Sequence, residues 1–365
     1  MRLKIFVLLA FVLLPFYKAS TAFANEPSNS IENHFIPPYE KFDWIKLVSD
    51  EWLKGDIKEM YDDKFEFESD ELDTLYFDWE DVKEIYSSRQ HMVGIVRQLD
   101  AVGTIVLKDA TLTIITKDGE FKIEKENVLS LIQGGKKRSS LWTGKINLGL
   151  DISKGNNEEK DINANMTVSR RTTDTRITLS YLGNFSETND IETTNDHRVN
   201  FNWDIYQNKQ FFWRPLFGEY YQDPFSNIKS KKSLGIGVGY TFIDTSKLEW
   251  NVSGGPSYLE TNYESVEIGE DLRETSTVLT STTNVDWEIN DDTDFLVLYQ
   301  LQWGKEESGG YTHHFVATFE FDIGSDIDLS LSTIWDYTDN IKANEDGTLP
   351  VNSDLNFVVG LGMDF

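Results

Sequence analysis

No cysteine occurs anywhere in the 365 residues, so neither a disulfide framework nor a lipid-modified cysteine is available to this chain. Basic residues are scarce beside acidic ones, 34 against 62, and the formal charge of −28 argues against nucleic acid, because binding a polyanion relies on Lys and Arg at the phosphates. Histidines number only five, and no pair has metal-ligand spacing. A phosphate-cradling glycine loop and a nucleophile elbow are also missing. Beyond the first 24 residues no apolar run reaches the roughly twenty needed for a spanning helix. Any insertion into a membrane by the mature chain would therefore have to be as a barrel.

What the chain has is aromatic residues, 23 Phe, 15 Tyr and 10 Trp, with a mean hydropathy of −0.42. Such a balance requires apolar and polar side chains to be interleaved, as on strands with two unlike faces. Residues 1–24 read as a secretory signal: Arg2 and Lys4, an apolar run from Ile5 to Tyr17, and Ala22-Phe23-Ala24 as the cleavage site, with Ala22 and Ala24 as its small residues. Residues 25–52, with Pro27, Pro37 and Pro38, read as an extended leader.

Residues 53–141 hold a weak internal repeat, expected to form a periplasmic β-domain of two modules. Trp52–Ile57 aligns with His91–Val96, and Glu80–Ile85 with Glu126–Leu131. One module alone would hardly bury a core, so the two should pack together. The first is acidic, with 19 acidic against 7 basic residues from Asn25 to Gln90, whereas His91 to Leu141 has 6 against 8. A docking face for a basic periplasmic protein and an ordinary solvated surface both fit that charge. Lys136-Lys-Arg138 either meets anionic headgroups or closes a linker.

From Trp142 to Phe365 the pattern changes to twelve long alternating segments. Leu234, Ile236, Val238, Tyr240 and Phe242 face one way, with Ser233, Gly235, Gly237, Gly239 and Thr241 opposite. The intervening connections are alternately longer and shorter, the rhythm of an up-and-down membrane barrel with outer loops and short periplasmic turns. The fifth segment is rougher: Pro215 interrupts it, and the phase slips near Glu219 as at a bulge. The fold expected is all-β, a transmembrane antiparallel barrel of about twelve strands at 142–365 preceded by the small β-domain. Trp142, Trp203, Trp287, Trp303 and Trp335 fall near segment ends, as an interfacial girdle requires.

The closing stretch, Ser353 to Phe365, alternates throughout and ends on an aromatic. It resembles the last strand of bacterial outer-membrane barrels, in which Phe357, Leu361, Met363 and Phe365 would form the signal read by the barrel-assembly machinery. Other partners expected on this reading are outer-membrane lipids and lipopolysaccharide.

Lys145, Arg176, Asp204, His314, Glu320 and Asp336 are candidates for the lumen wall. Both signs occur there with acids in excess, so an open pore should prefer cations, while mutual neutralisation would plug it. His313 and His314 are adjacent and must point to opposite faces. A lipid-modifying barrel enzyme built on them is the alternative from another class, but no serine follows at a useful spacing, and His314 is expected to bond Glu320 or Asp322. A periplasmic docking or adhesion protein anchored by the barrel is a third reading. Acidic outer loops, such as Glu264 to Asp271, suit solvation and would also suit calcium. No enzyme activity, cofactor or metal is assigned.

Several short motifs are similar to those of the YdiY-like, salt-induced outer-membrane proteins. They are Leu53-Lys-Gly-Asp56, Asp223-Pro-Phe225, and Leu234-Gly-Ile-Gly-Val-Gly-Tyr240. Lys54 stands where that family has Asn. The resemblance implies an outer-membrane barrel without a catalytic residue, and a role in salt or osmotic adaptation of the envelope.

Overall fold

The computed structural model describes residues 38, 41–61, 63–69, 71–98, 100–134, 141–154, 158–290, 292–305, 310–324 and 327–364. The signal-cleavage residues Ala22 and Ala24, the basic run 136–138 and Phe365 lie outside them, as does the leader up to Pro37.

The first sheet comprises β1 (Asp43–Leu47), β2 (Trp52–Tyr61), β3 (Lys64–Ser69), β4 (Asp73–Asp78), β5 (Val82–Ile95), β6 (Ala101–Lys108), β7 (Thr111–Thr116), β8 (Gly119–Glu124) and β9 (Val128–Gln133). Its order is β4-β3-β2-β1-β5-β6-β7-β8, and β9 pairs with both β2 and β5, so that β2, β1, β5 and β9 close a ring. The internal repeat is visible in the short 3-10 turns Trp79–Asp81 and Lys125–Asn127, which precede β5 and β9 at equivalent points. β5 serves both copies, because its second half, from His91, corresponds to the start of β2.

The extended leader is shorter than the sequence suggests. β1 falls inside 25–52 and sits at the middle of the sheet. Five residues are too few to show a period. Its place is fixed by Ile45, fully buried, and by the buried Asp43 carboxylate, which accepts from the Ile57 amide at 2.9 Å and the Ser87 hydroxyl at 2.5 Å.

The second sheet is a closed barrel of twelve antiparallel strands. They are β10 (Trp142–Lys154), β11 (Glu158–Arg171), β12 (Thr175–Thr188), β13 (Ile191–Tyr206), β14 (Phe211–Asp223), β15 (Ile228–Asp244), β16 (Leu248–Tyr263), β17 (Arg273–Asn290), β18 (Thr293–Trp303), β19 (Tyr311–Gly324), β20 (Ile327–Thr338) and β21 (Ser353–Asp364). Each strand pairs with the next, and β10 with β21. The faces are inverted relative to a soluble sheet: Leu234, Ile236 and Phe242 are 54–61% exposed on the outside, while Ser233 and Thr241 are buried within.

Strand lengths differ from expectation in the first half. Residues 186–196 continue the β12–β13 ladder to Thr188↔Ile191, so no long connection stands there. The turn is Asn189-Asp190, both at positive φ (54° and 60°), the conformation that matches strand twist in a two-residue hairpin. The long-short rhythm of connections therefore holds from β16 onward, where 264–272, 304–310 and 339–352 are the long members. In β14 the register shifts between Arg214 and Phe217, at Pro215, since proline has no N–H to give the ladder, and again between Tyr221 and Asp223, just past Glu219.

The connections 172–174, 207–210, 245–247 and 291–292 lie at one end with both barrel termini, and there the N-terminal sheet packs. Ser130 donates to the Thr173 carbonyl at 2.8 Å, Lys64 reaches Glu288 at 3.4 Å, Lys209 pairs with Asp63, and the Ser246 amide bonds Asp78. Leu129 and Val96 pack against Tyr206 and Phe212 of the barrel.

Candidate functional site: the barrel lumen

Alternation puts one side chain in two into the lumen, and closure brings strands distant in sequence face to face. Three polar networks result. Near the domain end, Arg214 forks onto Asp204 (Nε–Oδ1 2.6 Å, Nη2–Oδ2 3.0 Å) and donates to Ser253 at 2.6 Å. Arg176 lies 3.6 Å from the same Asp204 and 3.5 Å from Glu249. Across the lumen, Lys145 is held between Glu320 at 2.6 Å and Asp328 at 2.7 Å.

Farther from the domain, Arg198 on β13 donates to Glu219 on β14 at 2.8 Å and to Asp336 on β20 at 2.6 Å. β13 and β20 are on opposite sides of a twelve-stranded ring, so this guanidinium spans the lumen. Gln300 also donates to Glu219, at 2.8 Å, and Arg198 lies over the Tyr221 ring at 4.1 Å. Arg198, Glu219 and His314 are buried, so the cluster is a paired and hydrogen-bonded bar; removing one member would strand the others.

The six lumen candidates read from sequence, Lys145, Arg176, Asp204, His314, Glu320 and Asp336, all belong to these networks. The partner expected for His314 is different. Its Nδ1 lies 2.9 Å from Asp336, not beside Glu320 or Asp322. Residues on one strand and one face climb away at about 7 Å per step, whereas His314 and Asp336 are directly opposed across β19 and β20. His313 faces outward, 2.7 Å from the Tyr299 hydroxyl and stacked 5.7 Å from Trp335.

Arg198, Arg214 and Glu219 are missed by the sequence reading. Arg198 was legible, sharing parity with Asn200, Asn202 and Asp204. Arg214 and Glu219 have opposite parity yet share the lumen, because the shift at Pro215 swaps faces between them.

Between the networks lies a polar cavity of about 480 Å³, whose walls include Asn200, Asn202, Thr282, Asn284 and Gln300. Asp204, Glu249 and Asp286 line it with Arg176 and Arg214, and toward the domain Lys145 is outnumbered by Glu320 and Asp328. A second cavity of about 350 Å³, lined by Glu59, Glu66, Glu249, Asp286, Glu288 and Asp294 with Lys64 and Lys247, separates the N-terminal sheet from the barrel mouth. At the far end, segment 339–352 folds over the mouth. Lys342 pairs with Glu270 at 3.1 Å and with Glu274, and the Glu345 amide donates to Ser265 at 3.2 Å. Among the described residues no cluster of three or more His, Cys, Asp or Glu could hold a metal ion. Of the proposed assembly signal, Phe357, Leu361 and Met363 lie on the outer face at 76%, 55% and 52% exposure.

No curated protein matches the chain. Among solved structures it is similar to a NanC porin in a rhombohedral crystal form, at 15% identity and a TM-score of 0.37, over 60% of this chain and 98% of that one. It is also similar to the translocator domain of the autotransporter NalP from Neisseria meningitidis, at 12% identity and a TM-score of 0.31, over 61% and 87%. The family model "Protein of unknown function, DUF481" matches residues 146–365, more than half of the chain and nearly the whole barrel, and the chain belongs to that family.

Proposed function

We propose that the barrel spans a bacterial outer membrane, with the N-terminal sheet in the periplasm, and passes small cations through a narrow lumen. The membrane reading is supported by the inverted faces: an apolar outer band with tryptophans toward its edges, around an interior of paired charges. The observation that carries the cation preference is the acid excess at the domain-end mouth, which concentrates cations where the path begins. The Arg198 bar and segment 339–352 narrow the route, so conductance should be small. Resemblance to the YdiY-like, salt-induced proteins supports a role in salt or osmotic adaptation. On this reading the partners are outer-membrane lipids, lipopolysaccharide, the barrel-assembly machinery and a periplasmic protein.

We read the chain as a non-enzyme, since no serine follows its lumen histidine at a useful spacing and the Asp336 carboxylate beside it is shared with Arg198. Planar-bilayer recording tests the proposal. In a KCl gradient the reversal potential should take the cation-selective sign, and Arg198→Met should raise conductance severalfold. Inserted but silent protein, in both forms, would instead favour a structural role, for which the bar across the lumen is the supporting observation.

A further inference from the structure

One seam of the barrel wall is zipped only in part. β10 and β21 pair through Lys145↔Asp364, Ile146↔Met363, Asn147↔Gly362 and Leu148↔Leu361, and no farther. Each strand continues well past that point on its other side: β10 pairs with β11 out to Lys154↔Glu158, and β21 with β20 out to Tyr337↔Ser353. Carried on, the β10–β21 register would set Gly149 opposite Gly360 and Lys154 opposite Leu355. Those pairs are not made: the backbones still touch where Gly149 meets the Val359 carbonyl, and from Leu150 to Lys154 and from Ser353 to Val359 the two strands face each other as edges.

The inner part of this gap lies within the apolar band, and its outer end, at Ser353 to Leu355, reaches the far mouth beside Trp335. Leu150 and Ile152 on one lip are 69% and 58% exposed, and Phe357 and Val359 on the other are 76% and 64%. A bare backbone N–H or C=O in hydrocarbon costs several kcal/mol, so such edges require polar company at that depth. On the lumen side the lips carry Asp151 and Ser153 on β10 and Asp354 and Asn356 on β21, and Lys154 stands at the outer end of the β10 lip. Asp354 also lines the cleft at the far mouth, where Asp336 stands with Arg198, Lys231 and Lys342. The slot thus joins an apolar outside to a polar inside of mixed charge, with a carboxylate on each lip.

We propose that the slot is a lateral portal for a single-chain amphiphile with a cationic or zwitterionic head. Its chain lies along Leu150, Ile152, Phe357 and Val359, and its head passes between the edges, bonding their backbone groups and meeting Asp151 and Asp354. The portal rests on the reading that the outer face meets lipid.

The absence of native cysteine makes a lock straightforward: Ile152→Cys with Phe357→Cys would bridge only if the lips close. The full chain is reconstituted in phosphatidylcholine vesicles, with insertion verified by heat-modifiable migration. Lysophosphatidylcholine bearing a photoreactive group on its head is then crosslinked and mapped. Labelling should concentrate on 151–154 and 353–356, fall at least tenfold when the disulfide is formed, and return on reduction. Asp151→Asn with Asp354→Asn should lower it severalfold, and a lysophosphatidylglycerol probe should label less. Inserted protein that labels no more at this seam than at β14–β15, or equally with the lock closed, overturns the portal alone. Disulfide-linked dimers of the single Ile152→Cys variant without lipid labelling would assign the edges to a second copy and also overturn it. Failure to insert would overturn the membrane reading itself.

Discussion

The two sheets of this chain use the same alternating strands with opposite faces inward. In the N-terminal sheet Phe65, Phe67, Ile85 and Leu107 have no exposed surface. In the barrel Phe357 and Ile236 are 76% and 61% exposed, while Arg198, Asp204 and Glu219 are buried within. The period of two makes both into strands; the surroundings decide which face turns in. A small ring of four paired strands can be filled by apolar side chains meeting at its centre. Twelve strands enclose too wide a space for that, and long charged side chains bridge it instead.

The comparison is broken most severely at the packed core. Phe67→Ala should destabilise the N-terminal sheet by about 3–5 kcal/mol, seen as loss of hydrogen-exchange protection in 43–133, while heat-modifiable migration of the barrel persists. Equal loss in both would mean that the two fold as one unit. On the barrel's outer face, Val238→Arg should cost about 2–4 kcal/mol in a bilayer. Thr282→Arg, on a lumen position, should change ion selectivity with a smaller loss of stability; urea unfolding in vesicles separates the two.

The smallest expected effect is a pH dependence confined to the first sheet. Burial holds the His91 imidazole below the ordinary histidine range, against the opposing pull of Asp43. Below about pH 6.5 the unfolded chain takes up a proton that the folded one still refuses. Stability should therefore fall as pH drops through that point, and level off once the folded form also titrates. His91→Gln should flatten this component of the urea midpoint between pH 7.5 and 5; an unchanged slope would remove His91 as its source.

Much of this architecture was legible. Rows such as Leu234 to Phe242 are long enough to reveal strand, phase and outer face together, and the repeat signalled two coupled modules. What escaped was set by closure rather than by local pattern. β1 is too short to show a period. The hairpin at Asn189-Asp190 is polar on both sides beyond the apolar band, so it reads as a loop. Pro215 swaps parity midway along β14 and hides Arg214 and Glu219. The pairing of Arg198 with Asp336, 138 positions apart, exists only because the ring closes. The half-open seam between β10 and β21 has no signature in either strand, each of which alternates cleanly.

The central claim is the inverted barrel, and a nitroxide scan along β18 in vesicles tests it most directly. Single cysteines replace 294–302 in turn in this cysteine-free chain. Labels at 295, 297, 299 and 301 should collide readily with oxygen dissolved in lipid and poorly with a water-soluble nickel chelate, with the even positions less accessible to oxygen. The opposite phase, or no alternation, would contradict the account.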